Sequence, residues 1–463
     1  MSIGTARPIG YRHRPEPLWE SSQARFAEIA LFVLGAAGLY SINLIGALPG
    51  SEVLLFPLLP LLLLSQGRRA FDRQYLVFYL LAGGWLLGTQ IADTYNGIAV
   101  FNRMKGTARV VFFILDFVAL AILLNNRTRR MLIFAVSIAA VLLIGSWEFS
   151  RDFSLQWKFG FSQGFTILSM LGSSYFYAKR RYGVCYVIVA VVAGLNLKYG
   201  FRSQLGIDVV SAALVLPLFG QGRVRHKGPH GTTDIFRTIL LLILAGGAAY
   251  AANASIKYAA QAGLFDESQK AKFLGQAEGD YGVLVGGRPE TLVAIQAIRD
   301  SPIIGHGSFP YGLKYMQLEQ DIQYEHGYTD SDEPDEVDYP VIPTHSHLTL
   351  AWVEGGILGG ICWIYILVLV VRGVFRVSKI RPGLAPLYSY LLVSFLWDVL
   401  YSPFGSVNRI RAAFYILLSY HILRAPSEAV VLLRNPRLKM TYRHQTSRFT
   451  NGRNPGLGLP AQH

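Results

Sequence analysis

Charge and sulfur are what this chain has least of. Only 16% of its 463 residues are charged and two are cysteine, against 52% that are hydrophobic. Two cysteines, Cys185 and Cys362, each inside an apolar run, exclude a disulfide framework and read as small packing residues rather than thiol nucleophiles. An apolar core is also missing from the first residues, "MSIGTARPIGYRHRPEPLWESSQAR". No cleavable signal peptide is therefore expected, and the first apolar block must itself direct insertion. Internal repeats are not visible, which argues against an inverted-repeat transporter. The net charge of +14 would suggest nucleic acid in a soluble protein. Here the bases sit in short clusters between apolar blocks, and no basic and aromatic surface runs along one region, so nucleic acid is not an expected partner.

What is present is hydrocarbon in long blocks, with a mean hydropathy of +0.34. Blocks of roughly 20 apolar residues are what a helix needs to cross about 30 Å of bilayer. The pattern predicts an all-α polytopic membrane protein with about twelve spans, near 27–47, 51–66, 75–93, 108–125, 131–147, 160–178, 182–198, 204–220, 236–256, 346–371, 384–401 and 406–423. The second, "LLFPLLPLLLL", is short and carries two prolines. With a cytoplasmic N-terminus, the inside loops read "GRRAFDR", "NNRTRR", "KRR", "GRVRHKGPHGTTDIFR" and "RGVFRVSKIRPG", and every dense cluster of bases falls inside. Flipping the chain destroys that agreement. The expected organisation is a cytoplasmic segment 1–26, spans in 27–256, one large outer loop 257–345 with short helices, three spans in 346–423, and a basic cytoplasmic tail 424–463. That tail, rich in Pro and Gly and poor in apolar residues, reads as disordered beside anionic lipid.

About half of the acidic residues lie in the outer loop. Within it "RPETLVAIQAIRDSP" predicts a helix: Pro289 suits the first turn and Ser301-Pro302 stops it. Leu292, Ile295 and Ile298, with Val293, are expected to face the membrane surface. The run Asp330 to Asp338 lacks the central glycine and closing glutamate of a calcium loop and reads as a solvated face.

Four side chains collect on the outer side. Arg202 stands where one span ends and the next begins, Arg288 opens the loop helix, and His345 and His347 enter the tenth span. Guanidinium forks bind phosphate oxygens bidentately, and a histidine titrating near neutrality takes or gives a proton. A substrate outside the cytoplasm must bring its own leaving group, and a lipid-linked diphosphate does so. The bland alternatives are a headgroup-snorkelling arginine and a hydrogen-bonded interfacial histidine. His345 and His347 are two apart, so on a helix they face different ways and cannot form an i, i+4 zinc pair; no metal is expected. Glu354, two turns into the span, is either functional or a hydrogen-bonded structural group. The glycines of "GGILGG" read as close helix packing.

Two stretches, "GGRPETLVAIQAIRDSPIIGHGSF" and "THSHLTLAWVEGGILGG", together resemble the O-antigen ligase and polysaccharide polymerase family. The likeness rests on an arginine opening an outer-loop helix, the exit Pro302 to Gly307, His345-Ser346 entering a span, and Glu354 to Gly359. It spans roughly residues 195 to 375. Arg202 in "FRSQ" matches the upstream arginine, with different flanking residues. The resemblance implies a membrane glycosyltransferase acting at the periplasmic face of the bacterial inner membrane on an undecaprenyl-diphosphate-linked oligosaccharide donor. It implies inversion, no metal and no cofactor. Arg202 and Arg288 would grip the diphosphate, and His345, nine residues before Glu354, would be the base, with His347 second. Ser346 stands where the family commonly has asparagine, and Glu354 would support. Expected partners are a glycan or lipid acceptor, membrane lipids and other polysaccharide export or assembly proteins. The competing expectation is a transporter or flippase of a lipid-linked glycan, for which Asp208 and Asp398 are the modest mid-membrane candidates; a non-catalytic scaffold is the third.

Overall fold

The computed structural model describes residues 18–38, 40–43, 46–145, 153–216, 258, 288–325 and 340–425. The expected span 236–256, the acidic run 330–338, the first seventeen residues and the tail beyond 425 lie outside them. The described chain is helical: α1 (Leu18–Ala37), α2 (Gly50–Gln66), α3 (Leu76–Tyr95), α4 (Val100–Leu124), α5 (Thr128–Gly145), α6 (Ser162–Ala178), α7 (Tyr182–Lys198), α8 (Arg202–Val215), α9 (Pro289–Asp300), α10 (Leu313–Glu325), α11 (His347–Ile380), α12 (Ala385–Tyr401) and α13 (Asn408–Arg424). A helical turn, Phe153–Gln156, and a π-helical turn, Trp157–Phe161, lead into α6. By length and composition, five helical stretches could cross a membrane: Gly50–Arg69, Arg73–Tyr95, Val100–Leu124, Thr128–Gly145 and His347–Ile380. Helix α2 continues through Pro57 and Pro60, each of which removes one of its backbone hydrogen bonds.

The first apolar block folds differently from expectation. The helix begins nine residues early, in polar sequence, and ends at Ala37. An antiparallel hairpin of β1 (Ser41–Asn43) and β2 (Ala47–Pro49) follows, with Ile42 opposite Leu48. Gly38 and Gly46, the latter at φ +132°, turn a stretch that hydropathy alone reads as span.

Helix α11 is the axis of the described structure, packing against α3, α12, α13 and α9, while α13 also packs on α4 and α8 on α12. An aromatic knot sits where these helices meet. Trp363 of α11 stacks on Phe113 of α4 at 5.8 Å between centroids and meets Trp85 of α3 at 6.0 Å and Phe404 at 5.0 Å. One buried ion pair joins two helices of the bundle. Arg409 of α13 forks onto Glu52 of α2, with Nε 2.5 Å and one terminal nitrogen 2.7 Å from its two oxygens. Asp116 of α4 is fully buried, and neither of its oxygens has a hydrogen-bond partner among the described residues. Both cysteines are buried and unpaired, as expected of packing residues.

Candidate functional site at the head of α11

The loop helix α9 forms where expected, with Pro289 at its first position and its C-cap at Ser301. Its buried stripe differs from expectation: Val293, Ala294 and Ala297 are buried against Tyr315, Ile342 and Val353, while Ile295 is exposed. The helix lies on α11 and α10, so protein contacts rather than a membrane surface select the inward face. Asp300 ties the α9 end to α10, accepting from Lys314 Nζ and the Tyr315 hydroxyl, both at 2.7 Å. These two donors hold its carboxyl down at about 2.

After α9 the chain "SPIIGHGSF" docks on α11 by main-chain hydrogen bonds. The amides of His306 and Gly307 donate to the carbonyls of Val353 (2.7 Å) and Glu354 (3.1 Å), and the amide of Ile357 donates to Ile303 O (3.0 Å). Such pairing requires an interrupted helix, and Gly356, at φ 61° and ψ −154°, supplies the break. Gly305 and Gly307 adopt φ 84° and 85° on the other side. A Cβ on Gly356 would run into the Ile303 carbonyl oxygen. Gly355 does serve close packing, since a Cβ there would lie 2.9 Å from Trp85 of α3. The "GGILGG" stretch thus combines the expected helix packing with a backbone dock that its composition did not suggest.

Glu354 holds this dock in place. One carboxylate oxygen pairs with Arg109 of α4, the other accepts the Phe309 amide at 3.1 Å, and Arg109 lies 4.4 Å from the Phe309 ring. Asp93 of α3 receives the Ser308 amide at 2.5 Å and its hydroxyl at 2.9 Å. Of its two expected roles, Glu354 therefore has the structural one. Arg109 and Asp93 escaped the sequence reading because their partners are more than 200 residues away.

Three helix ends converge beside the dock. Arg288, the N-cap of α9, donates to the Tyr401 carbonyl at the end of α12, and its guanidinium lies 5.3 Å from the Trp397 ring and 5.5 Å from that of Tyr401. Burial lowers its affinity for a proton while Glu290 and Tyr401 oppose that shift; a guanidinium stays charged throughout. Ser346 caps α11, accepting the Thr349 amide at 3.1 Å and donating to Val399 O of α12 at 2.9 Å. His345, just before the cap, is half exposed, with Nδ1 3.7 Å from Glu290 Oε1. Glu319 of α10 also borders Glu290, and burial followed by that neighbouring charge pushes its carboxyl up to about 7.

The other expected residues separate. His347 is 1% exposed, its ring 4.9 Å from both Trp363 and Phe404 in the aromatic knot. The two histidines thus point apart, His345 to the open side and His347 inward. Arg202 is the first residue of α8 and half-buried. Two residues on, Gln204 donates to the Tyr390 hydroxyl at 2.8 Å, so α8 meets α12 eleven residues before Tyr401. Asp208 belongs to a buried polar network, accepting from Asn196 (2.7 Å) and Gln204 (3.1 Å). Glu290 went unnoticed in the sequence; its position two residues after Arg288, in a first helical turn, was the available signal. Among the described residues no three His, Cys, Asp or Glu side chains converge as metal ligands would. No protein-family model matches the chain, and neither does any curated protein.

Proposed function

We propose that the chain is a membrane glycosyltransferase of the bacterial inner membrane. It would transfer or polymerise undecaprenyl-diphosphate-linked saccharide units at the periplasmic face. The proposal includes twelve spans and cytoplasmic termini. The observation that carries it is the meeting of Arg288 and His345 around Glu290, at the ends of α9, α11 and α12. A permanently charged fork, held by a carbonyl and two aromatic faces, and a half-exposed imidazole share Glu290 as a neighbour. Phosphate recognition and proton transfer need those two groups adjacent.

In the proposed reaction, His345 takes the proton of an acceptor hydroxyl as its oxygen bonds to the anomeric carbon of the donor sugar. The bond from that carbon to the diphosphate oxygen breaks, and its electron pair leaves with undecaprenyl diphosphate. Arg288 stabilises the charge growing on that leaving group, a task in which electrostatic preorganisation is the main lever. Arg202 would contribute a second guanidinium. His347, inside the aromatic knot, supports the fold of α11 and is left out of the chemistry.

The test is envelope polysaccharide from a deletion strain rescued with wild type, Arg288→Ala or His345→Ala, at matched membrane levels. Each substitution is expected to lower product by about 10²-fold or more. Single repeat units accumulating on lipid carrier would identify a polymerase, and long chains stranded on carrier a ligase. Full rescue by both variants would remove the catalytic reading. A second reading, transport of the lipid-linked glycan, is favoured by the buried, unpartnered Asp116. It requires that Asp116→Asn stop glycan crossing in vesicles while Arg288→Ala does not.

A further inference from the structure

Glu290 has no part in the reaction as described above, yet it is the side chain that connects its two main participants. It stands in the first turn of α9, two residues after Arg288, with Oε1 3.7 Å from His345 Nδ1. Its Oε2 is buried and has no hydrogen-bond partner among the described residues. A bare negative charge in the first helical turn gains something from the helix dipole, roughly 0.3–1 kcal/mol. That gain does not require a buried oxygen without a donor, which costs free energy. The arrangement makes sense if the carboxylate takes up a donor during the reaction, and His345, 3.7 Å from its other oxygen, becomes one when it is protonated.

We propose that Glu290 is the positioning residue of His345, holding its Nδ1–H so that Nε2 faces the acceptor hydroxyl, and balancing the imidazolium once the proton is taken. This rests on the glycosyl-transfer reading. A carboxylate behind a basic histidine fixes tautomer and orientation, and stabilises the positive ring without itself accepting the proton. The 3.7 Å separation is longer than a hydrogen bond, as catalytic contacts often are before substrate tightens them. Among the described residues, neither of the other two carboxylates named above serves as well. Glu354 has both oxygens occupied by Arg109 and the Phe309 amide, and the raised Glu319 carboxyl faces Glu290 rather than the ring. Glu290 also lies close enough to Arg288 for its charge to favour the protonated guanidinium.

The test uses the full chain in membrane vesicles from its own bacterium, which carry the acceptor. Donor turnover is read as polyprenyl diphosphate released from a short-chain polyprenyl-diphosphate oligosaccharide. Three variants are compared with wild type at equal membrane levels, with the thermal midpoint of each measured alongside: His345→Ala, Glu290→Gln and Glu290→Asp. His345→Ala is expected to lose about 10²-fold or more in kcat, and Glu290→Gln about tenfold or more with KM for the donor unchanged. Glu290→Asp, which keeps the charge, should recover most of that loss. If His345→Ala is dead while Glu290→Gln turns over like wild type, Glu290 is not the positioning residue and the transfer reading survives. The Glu290 proposal is equally overturned if Glu290→Asp and Glu290→Gln fall together with a lowered thermal midpoint, since the role is then structural. Wild-type turnover by His345→Ala would overturn the transfer reading itself.

Discussion

The dock at Gly356 and the cluster around Glu290 lie on neighbouring stretches of the same helix entry, yet they are built in opposite ways. In the dock, main chain meets main chain, both oxygens of Glu354 are occupied, and three glycines adopt positive φ. Nothing there is left over to bind a substrate. Around Glu290, one carboxylate oxygen lacks a donor among the described residues, His345 is half exposed, and its contact with Glu290 is long. The first region uses its polar groups to hold a shape; the second has bonding capacity in reserve. Proximity to a functional motif is therefore a poor guide to role, and satisfaction of the polar atoms is a better one.

The comparison breaks most decisively at Gly356. Gly356→Val places a branched side chain against the Ile303 carbonyl at a φ that β-branched residues avoid. A loss above about 4 kcal/mol is expected, seen as absence of folded protein in detergent by fluorescence-detected size exclusion. Next comes Arg109→Leu, which leaves Glu354 buried and unpaired. The expected cost is about 3–5 kcal/mol, and the double variant Arg109→Leu/Glu354→Leu should recover much of it in a thermal melt. No recovery would mean the pair does not act as a unit.

Smaller effects sharpen the other side. The Glu319 carboxyl rises from 4.5 to about 7, so its burial penalty is absent below pH 4.5 and grows as pH rises through 7. Glu319→Gln should therefore raise the thermal midpoint at pH 8 and leave it unchanged at pH 4; the reverse order would contradict the burial. Last, Asp300→Asn removes an exposed ion pair with Lys314. It should cost under about 1 kcal/mol, with transfer activity unaffected.

Hydropathy located most of the described helices to within a few residues. The blocks 182–198 and 384–401 became Tyr182–Lys198 and Ala385–Tyr401. Apolar composition suffices there because a long uninterrupted apolar run leaves the helix as the way to satisfy its backbone groups. It failed in the last third of the expected span 27–47, where Ser41–Asn43 instead pairs with Ala47–Pro49 in a hairpin. It failed again on the α9 face, because which stripe is buried depends on a partner helix far away in sequence. In the candidate site, Arg288 and His345 were legible as residue types beside helix ends. Glu290 and Arg109 were not, because a carboxylate and a guanidinium carry no sign of the group they will meet after folding. The spacing to Glu354 already ranked His345 before His347, and the structure adds that the His347 ring is buried in the aromatic knot while His345 is half exposed.

The main-chain character of the Gly356 dock has a consequence for how this fold drifts over evolutionary time. Contacts between side chains leave correlated substitutions, because a change on one side can be answered on the other. A contact between peptide groups has nothing to exchange. Residues 303–307 and 353–357 should therefore show almost no pairwise covariation in any set of relatives, despite three hydrogen bonds between them. Their signature would be glycine held fixed at 305, 307 and 356, and the coupling would be written as silence rather than as correlation.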